Sequence, residues 1–244
     1  MRTFLLSAAL LLSAAAAQAA EITLMAPGLL GPGFVTLAAQ WKAQTGNTAV
    51  LAGGVGTVGK IEQAIASGGS ADIVVLPPGE FPGMADKLKP GSEKKIGQVL
   101  FGLAVKTGAP HPDISTAAKF RAALKGKSVA YNDPAIGSIA GKMVDALLKQ
   151  PEYADVKGAP AKGTGGQAVA DGKADMTIAV ETEEVQVKGI DIVGHVPDDI
   201  GLRLDLSGAV LVNSAHPDEA AAFLAFITRP EAAAILKPTG IAAP

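Results

Sequence analysis

Hydrophobic and polar positions follow two alternating patterns along most of the chain. Short apolar runs that end at turn-forming residues predict strands, and apolar residues three or four positions apart predict helices. The predicted strands are 21–27, 48–51, 72–78, 98–106, 127–134, 190–196 and 204–213. Helices are predicted in 34–46, 61–65, 115–126, 138–150 and 216–236, the last interrupted at Pro230, and 166–180 is predicted to run from helix through a turn into a strand.

The alternation of strands and helices is typical of an α/β fold with mainly parallel sheets. Helix 138–150 carries its predicted buried face on Ile139, Met143, Ala146 and Leu147. The chain shows no internal repeat and no long linker. With 48% hydrophobic residues, it can fill the core of one large or two small domains.

The first twenty residues, MRTFLLSAALLLSAAAAQAA, depart from this rhythm. Arg2 precedes an apolar run over 4–17, and the triplet at 17–19 has the spacing of an A-x-A cleavage site. A run this short and this rich in small residues predicts a secretory signal peptide over 1–19, with a buried N-terminal helix as the alternative. We therefore expect export to a bacterial periplasm.

Composition and charge limit the kinds of molecule that this protein is expected to bind. The chain has no cysteine, which excludes disulfides and thiol chemistry. A formal charge of −2 and an aromatic content of 4% favour neither nucleic acid nor an anionic membrane. The three histidines are isolated and lack metal-ligand spacing. We expect a monomer that binds no nucleic acid, metal or cofactor.

The stretch AGGVGTVGKI, residues 52–61, satisfies two nucleotide-binding patterns at once. Its glycines fit the dinucleotide pattern G-x-G-x-x-G, and they also fit the first part of a phosphate-binding P-loop. However, Ile61 stands where a P-loop needs a hydroxyl for magnesium, and Asp72 begins an apolar run typical of a strand. We expect no nucleotide here. The loop is either an anion-binding helix start or a plain turn.

Four segments share one feature: a strand ends in small, turn-forming or hydroxyl-bearing residues that open a helix. These segments are 26–33, 53–60, 132–141 and 180–184. In α/β sheets, ligands bind at the carboxyl ends of strands, and helix N-termini there supply N–H donors without a full positive charge. The pattern predicts a site for a small anion.

The charged run at the end of the fourth segment has two interpretations. A cluster of acidic residues after a strand is typically a solvated helix start, which suits Glu181 and Glu184. For Glu183 exposure and a role in the site are equally favoured.

Five stretches together resemble the molybdate-binding-like family of periplasmic solute-binding proteins, which serve ABC importers. The resemblance covers nearly the whole mature chain. Its markers are EITLMAP, GTVGKIEQAIASGGSADIVVL, AYNDPAIGSIAG, VADGKADMTIAVETEEV and HPDEAAAFLAFITRPEAAAILKPTGI.

This resemblance implies a type II periplasmic binding protein: two α/β lobes joined by a hinge, with the ligand in the cleft between them. It implies that residues 20–102 and 206–244 form one lobe and that residues 103–205 form the other. The chain would cross between lobes near 100–104 and 203–207. The implied partners are a small anionic ligand and the membrane permease of an ABC importer.

The family holds its oxyanion with hydroxyls and backbone N–H groups. The matching ligand-binding positions are Gly28, Leu29, Thr57, Val58, Gly137, Ser138, Thr182 and Glu183. Gly28 stands where the family's first hydroxyl is usual, and Val180 stands at a tyrosine position. These losses disfavour molybdate, because a desolvated dianion needs nearly all its oxygens satisfied.

The third and fourth segments resemble a divergent branch of the family that is similar to a periplasmic aconitate isomerase. This branch implies small organic carboxylates as ligands. Isomerisation would need a base, for which Glu183 and Asp133 are the candidates. Three functions stay open: a transport receptor for a small anion, an isomerase on the same scaffold, and a sensing module without a transport role. We favour the receptor, because a binding cleft needs no base.

Overall fold

The computed structural model describes residues 19–53 and 56–243. The strands are β1 (Glu21–Met25), β2 (Thr48–Leu51), β3 (Ile73–Leu76), β4 (Lys94–Lys106), β5 (Ser128–Asn132), β6 (Lys157–Ala161), β7 (Met176–Val180), β8 (Ile190–His195), β9 (Arg203–Val210) and β10 (Ile241–Ala242). The helices are α1 (Gly31–Thr45), α2 (Val58–Ala66), α3 (Ala117–Leu124), α4 (Ile139–Leu148), α5 (Gly165–Ala170), α6 (Glu181–Glu184), α7 (Pro217–Ile227) and α8 (Pro230–Leu236).

The described strands form one continuous sheet in the order β2-β1-β3-β9-β4-β7-β5-β6, with β8 and β10 also paired to β4. Pairing is parallel near both ends, where β1 joins β2 and β3, and β5 joins β6 and β7. It is antiparallel at the centre, around β4 and β9. The prediction of mainly parallel sheets is therefore wrong at the centre, because the two strands that connect the halves run in opposite directions.

Strand β4 changes partners partway along its length. Its first part, Lys94 to Leu100, pairs with β9, and its last part, from Phe101 to Lys106, pairs with β7 and β8. The change marks the junction between two lobes, as in a type II periplasmic binding protein. The predicted crossing at 100–104 lies at this change, while the predicted domain boundaries stay a prediction.

The first lobe packs its helices around an aromatic cluster. Trp41 of α1 contacts Phe223 and Phe226 of α7 edge-on, at centroid distances of 5.6 and 5.2 Å. On another part of the sheet, Ile61 of α2 is fully buried in a second apolar cluster with Val74 of β3. The second cluster holds α2, and so the loop before it, against the sheet.

The predicted buried face of helix α4 is correct only in part. Leu147 is buried as predicted, and Ile139 and Met143 are partly buried against the core, whereas Ala146 is exposed. The buried face also includes Ala140, Val144 and Leu148, which were not predicted. Gly141 is buried as well, and its missing side chain lets α4 approach the backbone of β5 closely.

Asp72 anchors the start of β3. It accepts hydrogen bonds from the Ser214 hydroxyl at 2.6 Å, the Thr23 N–H at 2.8 Å and the His216 N–H at 3.0 Å. Burial works to raise the pKa of Asp72, but these hydrogen bonds hold it below its usual value. Its position at the start of a strand is as predicted, and both of its carboxylate oxygens accept hydrogen bonds from protein groups.

The longest described helix, α1, has 15 residues, whereas a membrane span needs about 20. Across 19–53 and 56–243, no helix is both long and apolar enough to cross a bilayer. The predicted signal peptide lies outside the described residues, apart from Ala19.

Candidate functional site: a cleft between the lobes

A cavity of about 250 Å³ lies between the two lobes, at the carboxyl ends of several strands. Its position matches the place where α/β sheets bind ligands. The described wall consists of 27–29 and 56–58 from the first lobe, and of 136–140, 162–164, Asn132 and Glu183 from the second.

The Thr57 loop forms one side of the cleft. Thr57 is the N-cap of α2 in extended conformation, and the Ile61 N–H bonds its carbonyl at 3.1 Å. Its hydroxyl makes no capping hydrogen bond. The Gly28 N–H donates to the Gly56 carbonyl at 3.3 Å, which ties this loop to the one after β1. No hydrogen bond to a described residue therefore occupies the Thr57 hydroxyl, and it can bind a ligand.

The Ser138 loop forms the opposite side. The Ser138 hydroxyl caps α4 by accepting a hydrogen bond from the Gly141 N–H at 3.0 Å, which leaves its own proton free to donate. Gly137 adopts φ +83°, which favours glycine. A β-carbon placed on Gly137 would lie 3.6 Å from the Thr57 hydroxyl oxygen. The structure thus brings the two predicted hydroxyl loops face to face.

Asn132, at the end of β5, holds Glu183 in place. Its side-chain oxygen accepts a hydrogen bond from the Gly165 N–H at 3.0 Å, and its NH2 group donates to Glu183 Oε2 at 2.7 Å. The orientation of the amide is unambiguous, because a backbone N–H can only donate. Asn132 was not among the predicted site residues, and only its place at a strand end pointed to it.

Glu183 is the acid of the described wall. It is partly buried, and burial raises the pKa of its carboxyl, although the hydrogen bond from Asn132 works against the rise. Within the described part of the chain, its Oε1 accepts no hydrogen bond. This oxygen can accept a hydrogen bond from a ligand or take a proton from one.

The other predicted residues divide into two groups. Gly28, Leu29 and Val58 lie on the cleft wall. Thr182 does not: it is fully buried and packs against Gly31, where a β-carbon would lie 3.0 Å from its own. Asp133 also lies off the wall, where its side chain accepts from the Ala135 N–H at 2.9 Å and caps a short 3-10 turn.

Two further polar residues of the wall follow β6. Lys162 is the one cationic side chain among the described wall residues. Thr164 caps α5 by accepting from the Gln167 N–H at 3.1 Å, so its own proton can be donated. Both were missed because β6, Lys-Gly-Ala-Pro-Ala, has no apolar run that predicts a strand.

Beneath the cleft, Glu181 and Glu184 are buried, with exposed fractions of 5% and 2%. The interpretation of these two as a solvated helix start is therefore wrong. Glu181 pairs with Nδ1 of His195, whereas both oxygens of Glu184 lack a partner among the residues described. Burial, together with the nearby Glu181 and Glu183 carboxylates, raises the pKa of Glu184 well above its usual value.

Comparisons with known proteins agree with this geometry. The sequence pattern of the bacterial extracellular solute-binding protein family matches residues 22–242. An aconitate isomerase from a Pseudomonas species is 34% identical over 153 residues, which span 62% of this chain and 58% of that relative.

Two solved structures share the fold. The substrate-binding domain ascribed to a molybdenum ABC transporter of Clostridium difficile superposes with a TM-score of 0.73 at 18% identity, covering 93% of this chain and all of that one. The periplasmic molybdate-binding protein of Azotobacter vinelandii gives 0.67 at 19% identity, covering 91% and 99%. The protein therefore belongs to the bacterial extracellular solute-binding protein family, and it shares its fold with a molybdate-binding protein.

Proposed function

We propose that this protein is an exported receptor that binds a small anion in the interlobe cleft and delivers it to an ABC importer. The observation that supports this function best is the pair of hydroxyl loops, at Thr57 and Ser138, that face each other across the cleft. Each loop immediately precedes a helix whose first N–H groups point out of its N-terminus.

The electrostatics of these helix starts suit an anion. The N-termini of α2 and α4 carry partial positive charge, and their first backbone N–H groups can donate hydrogen bonds. Lys162 supplies one full positive charge at the rim. Together they can hold a small anion without burying a cation, which would itself require desolvation.

Replacing Thr57 by alanine should weaken binding of the anion by about ten- to a hundredfold, because it removes one hydrogen bond to a charged ligand, roughly 1.5–3 kcal/mol. Stability of the free protein should hardly change, since this hydroxyl caps nothing. Ser138→Ala should weaken binding and also destabilise the protein by roughly 1 kcal/mol, because its hydroxyl caps α4.

The ligand for this test comes from a thermal-shift screen over oxyanions and carboxylates, since a ligand that binds only the native state raises the melting temperature. Affinities are then measured by calorimetry, with Thr36→Ala, an exposed threonine on α1, as the matched control. Wild-type affinity in both Thr57→Ala and Ser138→Ala would refute the binding role of the two hydroxyl loops, and the stretch 52–61 would then be a plain turn.

Export is the second part of the proposal. Cleavage after Ala19 would leave a mature chain that begins at Ala20. N-terminal sequencing of protein recovered from the periplasm is expected to read Ala-Glu-Ile-Thr-Leu. A chain that still begins with Met1 would contradict removal of the signal peptide.

The similarity to an aconitate isomerase favours isomerisation as a second candidate function, together with Oε1 of Glu183, which accepts no hydrogen bond from the described residues. In such a reaction, Glu183 would take a proton from a carbon next to the double bond, and the double bond would shift by one position. The same proton would then return to the far carbon, so no oxidant or cofactor is needed.

Incubation with cis-aconitate, followed by chromatography, separates the two candidates. A receptor leaves the compound unchanged, whereas an isomerase produces the trans isomer and loses this activity in Glu183→Gln.

A role in sensing without transport is the third candidate function. An importer gene next to the gene of this protein would argue against it.

A further inference from the structure

Most polar side chains of the cleft wall can donate hydrogen bonds. Thr57, Ser138, Thr164 and Lys162 all have protons to donate, as derived above, and they suit the oxygens of an anion. Glu183 is the exception among the described wall residues, because a carboxylate can only accept. A ligand that fills the cleft therefore meets side chains that can donate on most sides, and one side chain that can only accept.

The hydrogen bonds around Glu183 determine which oxygen the ligand meets. Asn132 is locked by the Gly165 N–H, so its NH2 group must face Glu183 Oε2. Oε2 is thereby committed as an acceptor, and Oε1 is the oxygen left for the ligand. An ionised Glu183 attracts a ligand hydroxyl at Oε1 and repels a ligand oxyanion there.

The rest of the wall is largely apolar. Leu29, Val58, Ile136, Ile139 and Ala140 contribute side chains to it. Apolar surface of this kind suits a carbon skeleton, whereas a tetrahedral inorganic oxyanion has none to bury. The volume of about 250 Å³ leaves room for a compact organic acid.

We propose that Glu183 is a specificity-determining residue that selects small organic acids carrying a hydroxyl beside their carboxylate groups, and that disfavours fully deprotonated tetrahedral oxyanions. The inference rests on the proposed anion-binding function of the same cleft. In this arrangement, the helix N-termini and Lys162 receive a carboxylate, while Glu183 Oε1 accepts the hydroxyl proton.

The direct test compares ligands that differ by one hydroxyl: malate with succinate, and citrate with tricarballylate, alongside molybdate. Wild-type protein is expected to bind the hydroxylated member of at least one pair about tenfold or more tightly than its partner, and more tightly than molybdate. Calorimetry on the mature protein measures each affinity.

Glu183→Gln gives a sharper readout, because Asn132 dictates how the new amide lies. The Asn132 NH2 group requires the glutamine oxygen at the former Oε2 position, which turns the glutamine NH2 toward the cleft. The acceptor becomes a donor, so the hydroxyl preference should fall below about threefold, while succinate and molybdate should bind more tightly. Glu152→Gln, at an exposed turn of the second lobe, is the control.

Dependence on pH provides a test that does not require a variant. Since the ionised carboxylate is the acceptor, the preference of the wild-type protein for the hydroxylated acid should grow as pH rises through the pKa of Glu183. A preference that grows as pH falls would show that Glu183 donates a proton to the ligand, and it would overturn the inference.

The remaining outcomes separate the inference from the function beneath it. Equal affinity for both members of both pairs, or tighter binding of molybdate, overturns the selective role of Glu183 and leaves the anion receptor intact. Absence of binding to every carboxylate and to molybdate contradicts both.

Discussion

Gly141→Ala is expected to lower the free energy of unfolding by about 3 kcal/mol or more and to weaken anion binding. A β-carbon at Gly141 would overlap the main-chain carbonyl oxygen of Asn132, on the neighbouring strand β5. A backbone carbonyl cannot rotate away as a side chain can, so α4 has to move off the sheet. Chemical denaturation of wild type and variant measures the loss.

Gly59→Ala is the matched control for this substitution. Both glycines lie in the first turn of a helix, but a β-carbon at Gly59 would meet no atom within 4 Å. Without a clash, alanine in a helix is expected to stabilise the protein by roughly 0.5–1 kcal/mol. Equal effects of the two substitutions would show that the close approach of α4 to β5 does not limit stability.

The expected loss of anion binding follows from the same displacement of α4, but it is an effect separate from the loss of stability. Displacement of α4 moves Ser138 at its N-terminus and strains Asn132, whose side chain holds Glu183. Ser138 and Glu183, which both belong to the second-lobe wall of the cleft, are therefore expected to shift together. Titration below the melting temperature of the variant distinguishes this loss from unfolding, and wild-type affinity in the folded variant would rule the displacement out.

Glu184→Gln is expected to raise the free energy of unfolding at about pH 7.5, by up to roughly 4 kcal/mol. The buried carboxyl has its pKa raised well above 4.5, so the native state must keep it protonated where the unfolded state ionises. Holding a proton on such a group costs about 1.36 kcal/mol for each pH unit above 4.5, which sets the upper bound. Glutamine keeps the size and neutrality without that penalty.

The pH dependence gives this prediction its signature. Below about pH 4.5, both states of the wild type bind the proton, so the advantage of the variant should vanish. It should appear as pH rises and grow until the native carboxyl itself ionises. Denaturation curves between about pH 4 and pH 8 measure the difference, with Glu93→Gln at an exposed site as control. A difference that is independent of pH would mean that Glu184 is ionised in the folded protein.

Helix and strand positions were largely predictable from the sequence, because they depend on neighbours within a few residues. The apolar spacing predicted most described helices and strands, and the glycine-flanked hydroxyls marked the starts of α2 and α4. Strand β6 was not predicted, because its sequence, Lys-Gly-Ala-Pro-Ala, has no strand pattern of its own. Pairing with β5 along its whole length makes it a strand.

The candidate site was predictable only in part, for the same reason. Thr57 and Ser138 carried a local signal, since each stands between a strand and a helix. The contact of Asn132 with Glu183 joins residues 51 positions apart, and no local pattern encodes it. Lys162 was not predicted to line the cleft, because it directly follows strand β6, which the sequence did not predict.

The sequence alone determined the α/β character of the chain, its family, and the hydroxyl loops that open α2 and α4, because each of these is written in local patterns or in stretches of matching sequence. Only the tertiary structure decided that Glu181 and Glu184 are buried while Glu183 of the same helix reaches the cleft. All three are acidic residues on one turn, and local pattern treats them alike. The burial of their side chains differs because α6 packs between β4 and the start of α1. Burial depends on which elements meet around a residue, and that is settled by contacts distant in sequence.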